Sequence, residues 1–115
     1  MTSTTQPELL HFGHHGAFVA EGFGQAPRIN AQPGSALRSV RLAVKDVFQV
    51  RGMRCGAGNP RWLAEQHVAT QTAPAVQWLL QAGAQWIGKT VTDELTYSLA
   101  GINAHYGTPR NPAAE

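Results

Sequence analysis

The stretch APAVQWLLQAGAQWIG, residues 73–88, decides the fold, because it predicts a helix that runs directly into a strand. Pro74 suits the first turn of a helix, where its missing N–H needs no partner, and Thr72 can cap that turn. Gly83 stands where a helix ends in the left-handed conformation, which glycine adopts at little cost. We therefore predict a helix over residues 73–82.

Two strands flank this helix. The run AQWIG at residues 84–88 follows it directly. The earlier run LRSVRLAVKDVF at residues 37–48 alternates apolar and polar residues over its first half and is rich in β-branched residues. Lys45 lies near the C-terminal end of this earlier strand. Strand, helix and strand with a long connection between the strands form a βαβ unit, in which the strands are parallel. The predicted fold class is therefore α/β.

Shorter elements surround the βαβ unit. Thr90 and Asp93 have the spacing of a capping box and predict a second helix over residues 92–99. Glycine, proline and asparagine favour turns, because they permit special backbone angles or remove a donor. The remaining predictions are loops at 22–33, 52–60 and 101–112, a strand at 17–20 and a short helical piece at 61–66. Residues 1–14 are expected to form a loosely ordered lead-in, and residues 15–115 one domain.

The composition excludes several classes of function. Of 115 residues, 43% are hydrophobic and 14% are charged, which is typical of one globular domain. Nine Lys and Arg residues against seven Asp and Glu residues, scattered along the chain, predict no nucleic-acid and no membrane-surface partner. No apolar run approaches the roughly 20 residues that span a bilayer. The single Cys55 cannot form an internal disulfide and the first residues lack the features of a leader, so we expect a cytoplasmic location.

Three phrases follow one another along the chain. They are LAVKD at residues 42–46, AGAQWIGKTVTDE at residues 82–94 and YGTPRNP at residues 106–112. In this order and spacing they are similar to the lysine-bearing strand end, the Gly-Lys-Thr segment and the Asn-Pro phrase of the amidase signature family. The resemblance covers residues 37–112, and residues 15–36 more loosely. It implies that the βαβ unit is an N-terminal portion of that family's mixed, helix-covered sheet.

The resemblance also implies a function and one site residue. Family members hydrolyse carboxylic amides, at carbon–nitrogen bonds other than peptide bonds, with a serine nucleophile, a second serine in a cis peptide and a lysine. Lys45 matches that lysine. To accept a proton it must be neutral, which requires burial or a neighbouring positive charge to lower its pKa from about 10.4. The implied substrate is a small-molecule amide, and no metal or other cofactor is implied.

The sequence departs from the family pattern after Lys45. Ser98 is the only serine that follows it, and no Gly-Gly-Ser or Ser-Ser sequence is present. Without a nucleophile, a bridging serine and an oxyanion loop, we expect this chain alone to be inactive. The alternative is a non-catalytic remnant or interaction module that pairs with a partner chain. The expected partner is the missing C-terminal part of the same fold or a second copy of this chain.

Other residues receive structural assignments, each with a functional alternative. Asp46 is expected to form a local hydrogen bond or ion pair that orders the turn after the strand. Lys89 is expected to be structural or a surface charge, with phosphate contact as the alternative. An exposed tail rather than a metal site is expected for His11, His14 and His15. Cys55 is expected to be an inert thiol rather than a nucleophile. Packing rather than base stacking is expected for Trp62, Trp78 and Trp86. A lone βαβ unit leaves apolar faces and strand edges uncovered, so marginal stability is expected.

Overall fold

The computed structural model describes residues 11–12, 14–29 and 36–113. Within the predicted lead-in, residues 1–10 and 13 lie outside the described part, whereas two residues form a short strand. The elements of the described part are β1 (His11–Phe12), β2 (Phe18–Val19), β3 (Arg41–Lys45), α1 (Pro60–Ala64), α2 (Pro74–Gln81) and β4 (Gln85–Thr90), with 3-10 turns at His14–Gly16 and Glu94–Thr96. A small mixed sheet with helices is compatible with the predicted α/β class.

The sheet has the strand order β1, β2, β4, β3. Strands β3 and β4 are parallel, in a register that pairs Lys45 with Thr90, as the βαβ prediction requires. An irregularity between Leu42 and Ala43 shifts this register by one residue. Strand β2 pairs antiparallel with β4, where Phe18 lies opposite Thr90. The carboxyl ends of the two parallel strands therefore meet at one edge of the sheet.

Strand β3 is shorter than the predicted strand 37–48. Before it, the Val40 N–H donates to the Leu37 carbonyl at 2.9 Å, which closes a turn. After it, the N–H groups of Val47 and Phe48 donate to the Lys45 carbonyl at 2.7 and 3.1 Å. These turns use backbone groups that a longer ladder would need. The strand therefore ends at Lys45.

Helix α2 begins and ends close to its predicted bounds. Its N-cap residue is Ala73, which makes no capping bond with its side chain, so the predicted Thr72 cap is wrong. The Thr72 hydroxyl instead accepts a bond from the Arg51 N–H at 3.0 Å, because the chain before the helix packs against the turn at residues 51–53. Gly83 has a φ of +98°, which confirms the predicted left-handed end. The short helical piece is confirmed at Pro60–Ala64, where Asn59 caps the Trp62 N–H.

The predicted helix at 92–99 does not form. A single 3-10 turn occupies Glu94–Thr96, and Leu95 and Thr96 have positive φ angles of 50° and 57°. The reason is that other loops supply partners for this segment. The Leu95 N–H donates to the Ala57 carbonyl at 2.6 Å, and the Thr92 carbonyl accepts from the Asn103 side chain at 2.8 Å. Tertiary hydrogen bonds thus outweigh the local capping pattern.

One apolar cluster lies between the βαβ strands and helix α2. Its buried members are Val44, Val50, Met53, Val76, Leu80 and Trp86. The Trp86 indole N–H donates to the Gly22 carbonyl at 2.8 Å, so this large ring is buried without losing its hydrogen bond. Packing is therefore confirmed for Trp86, whereas Trp62 and Trp78 lie largely on the surface. In the described part of the chain, no helix has the length and apolar character needed to cross a membrane.

Candidate active site

Lys45 is the last residue of β3, at the carboxyl end of the parallel strand pair. In open α/β sheets, binding and catalytic sites form at this end of the strands. The Lys45 side chain is exposed. Among the described residues, no hydrogen bond or ion pair joins its ammonium group to another side chain. The lysine selected from the sequence therefore stands at a position suited to a site.

The residue after it, Asp46, is buried, and its Oδ1 and both of its backbone polar groups are bonded. Its Oδ1 lies 2.7 Å from the Nζ of Lys89 and accepts the Gly56 N–H at 3.3 Å. Its backbone N–H donates to the Thr90 carbonyl at 3.1 Å, and its carbonyl accepts the Ala57 N–H at 3.0 Å. The prediction that Asp46 orders the turn after Lys45 is confirmed.

Lys89 is the partner of Asp46 and is completely buried, with 0% exposure of its side chain against 1% for Asp46. The Lys89 Nζ also donates to the Arg54 carbonyl at 3.2 Å. Its structural assignment is therefore confirmed, and the suggestion that it is a surface charge is wrong. In the strand register Lys89 lies opposite Val44, on the face that packs into the core. Burial raises the pKa of the Asp46 carboxyl, while the Lys89 ammonium acts against that rise.

A second ion pair joins Glu21 to Arg54, the residue whose carbonyl accepts the Lys89 bond. The Arg54 side chain contacts both carboxylate oxygens of Glu21, at 3.0 Å from Nη2 to Oε1 and 3.2 Å from Nε to Oε2. The Arg54 N–H adds a third bond to Oε2 at 2.7 Å. Burial alone would raise the pKa of Glu21, but the hydrogen bonds from Arg54 outweigh it, so this pKa is lowered. Glu21 thereby holds the loop whose Arg54 carbonyl binds Lys89.

The turn at residues 103–107 also supports the loops that follow the strand ends, in addition to the two ion pairs. The Asn103 Nδ2 donates to the carbonyls of Gly58 and Thr92, each at 2.8 Å. Its Oδ1 accepts the N–H groups of His105 and Tyr106 at 2.8 and 2.9 Å. All four bonding positions of one amide side chain are therefore used to join three loops. Sequence reasoning missed Asn103, and nothing in its local pattern distinguishes it from any other loop asparagine.

Tyr106 is buried beside this network. Burial, together with the nearby carboxylates of Asp46 and Glu21, raises the pKa of Tyr106 to about 12. Its hydroxyl and the Oδ2 of Asp46 are buried without a hydrogen-bond partner among the described residues. The tyrosine therefore stays neutral at physiological pH and cannot supply a negative charge to chemistry at this edge.

Cys55 also faces the Asp46 turn. Its thiol donates to the Asp46 carbonyl at a sulfur-to-oxygen distance of 3.5 Å. Burial raises the pKa of the Cys55 thiol, which lowers the fraction of reactive thiolate. The thiol is thus unsuited to act as a nucleophile. In the described part of the chain no three metal-ligating side chains lie together, and His15 is exposed.

The comparison with known proteins identifies the family. A family model described as Amidase matches residues 16–115. The chain belongs to the amidase family. Among curated relatives, it is 48% identical over 99 residues to "Amidase 1" of Arabidopsis thaliana, covering 86% of this chain and 23% of that protein. It is 40% identical over 102 residues to "Amidase 1" of Oryza sativa subsp. japonica, covering 89% and 23%.

A more distant amidase relative is named as part of an assembly. This relative is one of the subunits of the glutamyl-tRNA(Gln) amidotransferase of Ralstonia nicotianae. The chain is 32% identical to it over 96 residues, covering 84% of this chain and 19% of that protein. The chain thus spans less than a quarter of the length of these relatives. No solved structure matches it.

The prediction of a cytoplasmic location is wrong. The chain is 40% identical over 101 residues to "Outer envelope protein 64, chloroplastic" of Arabidopsis thaliana, covering 86% of this chain and 17% of that protein. Further relatives are named as a translocon component at the outer membrane of chloroplasts and as a mitochondrial outer envelope protein. The first residues alone did not predict the location correctly, because a segment that places a protein at a membrane can lie anywhere in a longer sequence.

Proposed function

We propose that this amidase chain is the lysine-bearing part of a hydrolase of carboxylic amides that uses a serine, a cis-serine and Lys45. The observation that carries the proposal is the position of Lys45, at the carboxyl end of a strand that pairs in parallel with β4. Its side chain is exposed, and its carbonyl accepts the N–H groups of Val47 and Phe48. A proton acceptor needs a fixed backbone, because a mobile base would lose orientation with respect to its donor.

In the proposed reaction, the nucleophilic serine attacks the amide carbonyl as its proton passes to the bridging serine. The bridging serine passes its own proton to the neutral Lys45 amine. When the tetrahedral intermediate collapses, the same relay returns a proton to the leaving amine and the acyl group stays on the serine. Water then releases the acid. Further parts of the domain are proposed to cover the lysine for this, because burial favours a neutral amine.

The substrate proposed is a small-molecule amide, and the plant relatives are named as amidases. The partner proposed is the rest of the amidase fold, either as further sequence or as a separate chain, with a second copy of this chain as the other candidate. The relative that is named as one subunit of an amidotransferase supports assembly with other chains at the family level. The 115-residue chain alone is proposed to be inactive.

A chimera tests this function. The aligned 99 residues of the Arabidopsis Amidase 1 are replaced by the matching residues of this chain, and hydrolysis of a simple carboxylic amide is measured. Lys45→Ala and Lys45→Arg should each lower kcat by about 10³-fold or more, since neither variant accepts a proton at neutral pH. The matched control is Arg38→Ala, which removes a cation that precedes the strand. Full activity of Lys45→Ala, or turnover by the isolated 115-residue chain, would contradict the proposal.

The second candidate is a non-catalytic interaction module. The exposed apolar side chains of Tyr97, Leu99 and Ile102 favour it, because a cluster of this kind commonly marks an association surface. The two candidates differ in the chimera. A folded chimera that hydrolyses amides only when Lys45 is present supports the enzyme, whereas a folded chimera without turnover supports the module.

A further inference from the structure

We propose that the buried Asp46–Lys89 pair is a positioning device, which fixes the end of β3 and thereby directs the Lys45 side chain out of the core. Asp46 and Lys89 are positioning residues in this proposal, because neither of their side chains is exposed to a substrate. The consequence for catalysis rests on the proposed function of Lys45. The consequence for the strand end does not.

The energetic cost of burying Asp46 and Lys89 favours a local role for the pair. Moving two charges out of water costs several kcal/mol per ion, and a buried pair often stabilises a fold no better than two apolar residues would. Asp46 and Lys89 are both inaccessible and lie 2.7 Å apart. A small domain with an uncovered sheet gains little stability from such a pair. A role in fixing one local geometry accounts for the pair better than stability does.

The bonds around Asp46 connect it to β4 and to the following loop. Its side chain binds Lys89 on β4 and the Gly56 N–H on the following loop, at 2.7 and 3.3 Å. Its backbone joins the same two elements, through the Thr90 carbonyl at 3.1 Å and the Ala57 N–H at 3.0 Å. The residue directly after Lys45 is therefore held at four points by two elements. The shared peptide bond passes this constraint to Lys45.

The burial of its two neighbours sets the direction of the Lys45 side chain. Successive side chains of a strand point to opposite faces of the sheet. Val44 and Asp46 are buried, so Lys45 between them points to the other face, where it is exposed. Gly56 supports this arrangement, since a Cβ at that residue would lie only 3.0 Å from the Oδ2 of Asp46. The loop can approach the carboxylate closely because this residue is a glycine.

The experiment measures amide hydrogen exchange in the 115-residue chain. Asp46→Asn and Lys89→Met should each accelerate exchange of the residue-46 and Ala57 amides by about tenfold relative to the Ala82 amide, which lies at the end of α2. Glu65→Gln, which removes an exposed carboxylate, is the matched control. No selective acceleration, or equal acceleration at Ala57 and Ala82, would overturn the proposal.

A double variant keeps the test decisive where a single variant unfolds. Asp46→Leu with Lys89→Met removes both charges together and leaves no buried ion unpaired. The proposal requires protection at Ala82 with loss of protection at Ala57. Protection at both amides would overturn it, and so would loss at both, since the pair would then hold the whole fold rather than the strand end.

The chimera separates this inference from the proposed function. Asp46→Asn should lower kcat by about 10²-fold with little change in KM, because a displaced base affects the chemical step rather than binding. If Lys45→Ala abolishes turnover and Asp46→Asn leaves kcat unchanged, the positioning role in catalysis fails alone. If Lys45→Ala retains turnover, the proposed function fails, and the exchange result still decides the structural part.

Discussion

Lys89 is the residue whose replacement is expected to affect stability most. Lys89→Met removes the cation and leaves the Asp46 carboxylate buried without its charged partner. Breaking a buried pair in this way costs about 3–5 kcal/mol. We expect a loss of this size in the free energy of unfolding, measured by urea denaturation followed by circular dichroism.

The control for this prediction is the double variant with Asp46→Leu. Two apolar residues in place of both ions should recover most of the lost free energy, because no unpaired charge remains. A double variant as unstable as Lys89→Met would show that the cost lies in packing rather than in charge.

Cys55 offers a prediction about reactivity. The thiol is buried and its pKa is raised, so little thiolate is available at neutral pH. Alkylation by iodoacetamide should be at least about tenfold slower in the native chain than in urea. Mass spectrometry of timed samples measures both rates. Equal rates would mean that the Asp46 turn opens freely in the native state.

Tyr106 offers a prediction about alkaline pH. Its pKa of about 12 lies above that of an unfolded tyrosine, near 10, so the folded state resists ionisation. The contribution to stability is complete below about pH 10 and is lost as the pH rises toward 12. The difference in absorbance at 295 nm between the chain and Tyr106→Phe should therefore titrate above about pH 11. A difference that titrates near pH 10 would refute the burial of the phenol.

At the scale of elements, the loops that join at Asn103 depend on two glycines of different kinds. Gly58 and Gly107 both have positive φ angles, of 80° and 82°. A Cβ at Gly58 would lie 2.6 Å from the Asp93 carbonyl oxygen, whereas a Cβ at Gly107 would meet nothing within 4 Å. An alanine at Gly107 would therefore add backbone strain alone, whereas an alanine at Gly58 would add both backbone strain and steric overlap.

Gly107→Ala should cost about 1–2 kcal/mol, the penalty of a left-handed alanine. Gly58→Ala should cost clearly more, because the loop must also move away from the Asp93 carbonyl. Urea denaturation of both variants measures the difference. Equal losses would indicate that the loops yield to the added methyl group without losing their Asn103 bonds.

The elements that were predictable from the sequence are those with local causes. Helix α2 has its proline, apolar face and terminal glycine within about ten residues, and β4 follows it directly. The predicted helix at 92–99 failed because Ala57 and Asn103, both distant in sequence, supply the partners of that segment. The burial of Lys89 could not be predicted, because it also depends on contacts between distant parts of the sequence. It follows from a strand register that contains an irregularity, and no local pattern reveals that register.

At the scale of the whole molecule, the position of Lys45 could be derived from sequence but its catalytic setting could not. The strand that bears Lys45 was predicted from residues 37–48, and the family from the three phrases at residues 42–46, 82–94 and 106–112 together. The proposed function assigns the groups that would cover Lys45 to further parts of an amidase, and this chain spans less than a quarter of the length of its plant relatives. The three phrases together therefore predict the family, while the proposed chemistry depends on further parts of an amidase domain.

The exposed apolar surface leads to a prediction about association. Tyr97 and Leu99 are almost entirely exposed and Ile102 is 62% exposed, all within one short loop. Such a cluster favours contact with another apolar surface, because each buried side chain of this size gains about 1.5–3 kcal/mol. In a solution of the isolated chain, the apolar surface available for this contact is the same loop of a second copy, so we expect the chain to self-associate. Sedimentation velocity should show a weight-average mass that increases with concentration.

The variants that test this prediction lie on the same loop, and the control variant lies on helix α2. Leu99→Ser with Ile102→Ser should bring the mass back toward that of the 12.4 kDa monomer. Trp78→Ser, which removes an exposed aromatic ring from helix α2, should leave the association unchanged if the loop is responsible. Association that responds to Trp78→Ser and not to the loop variants would place the contact on the helix instead. It would also remove the observation that favours the interaction module.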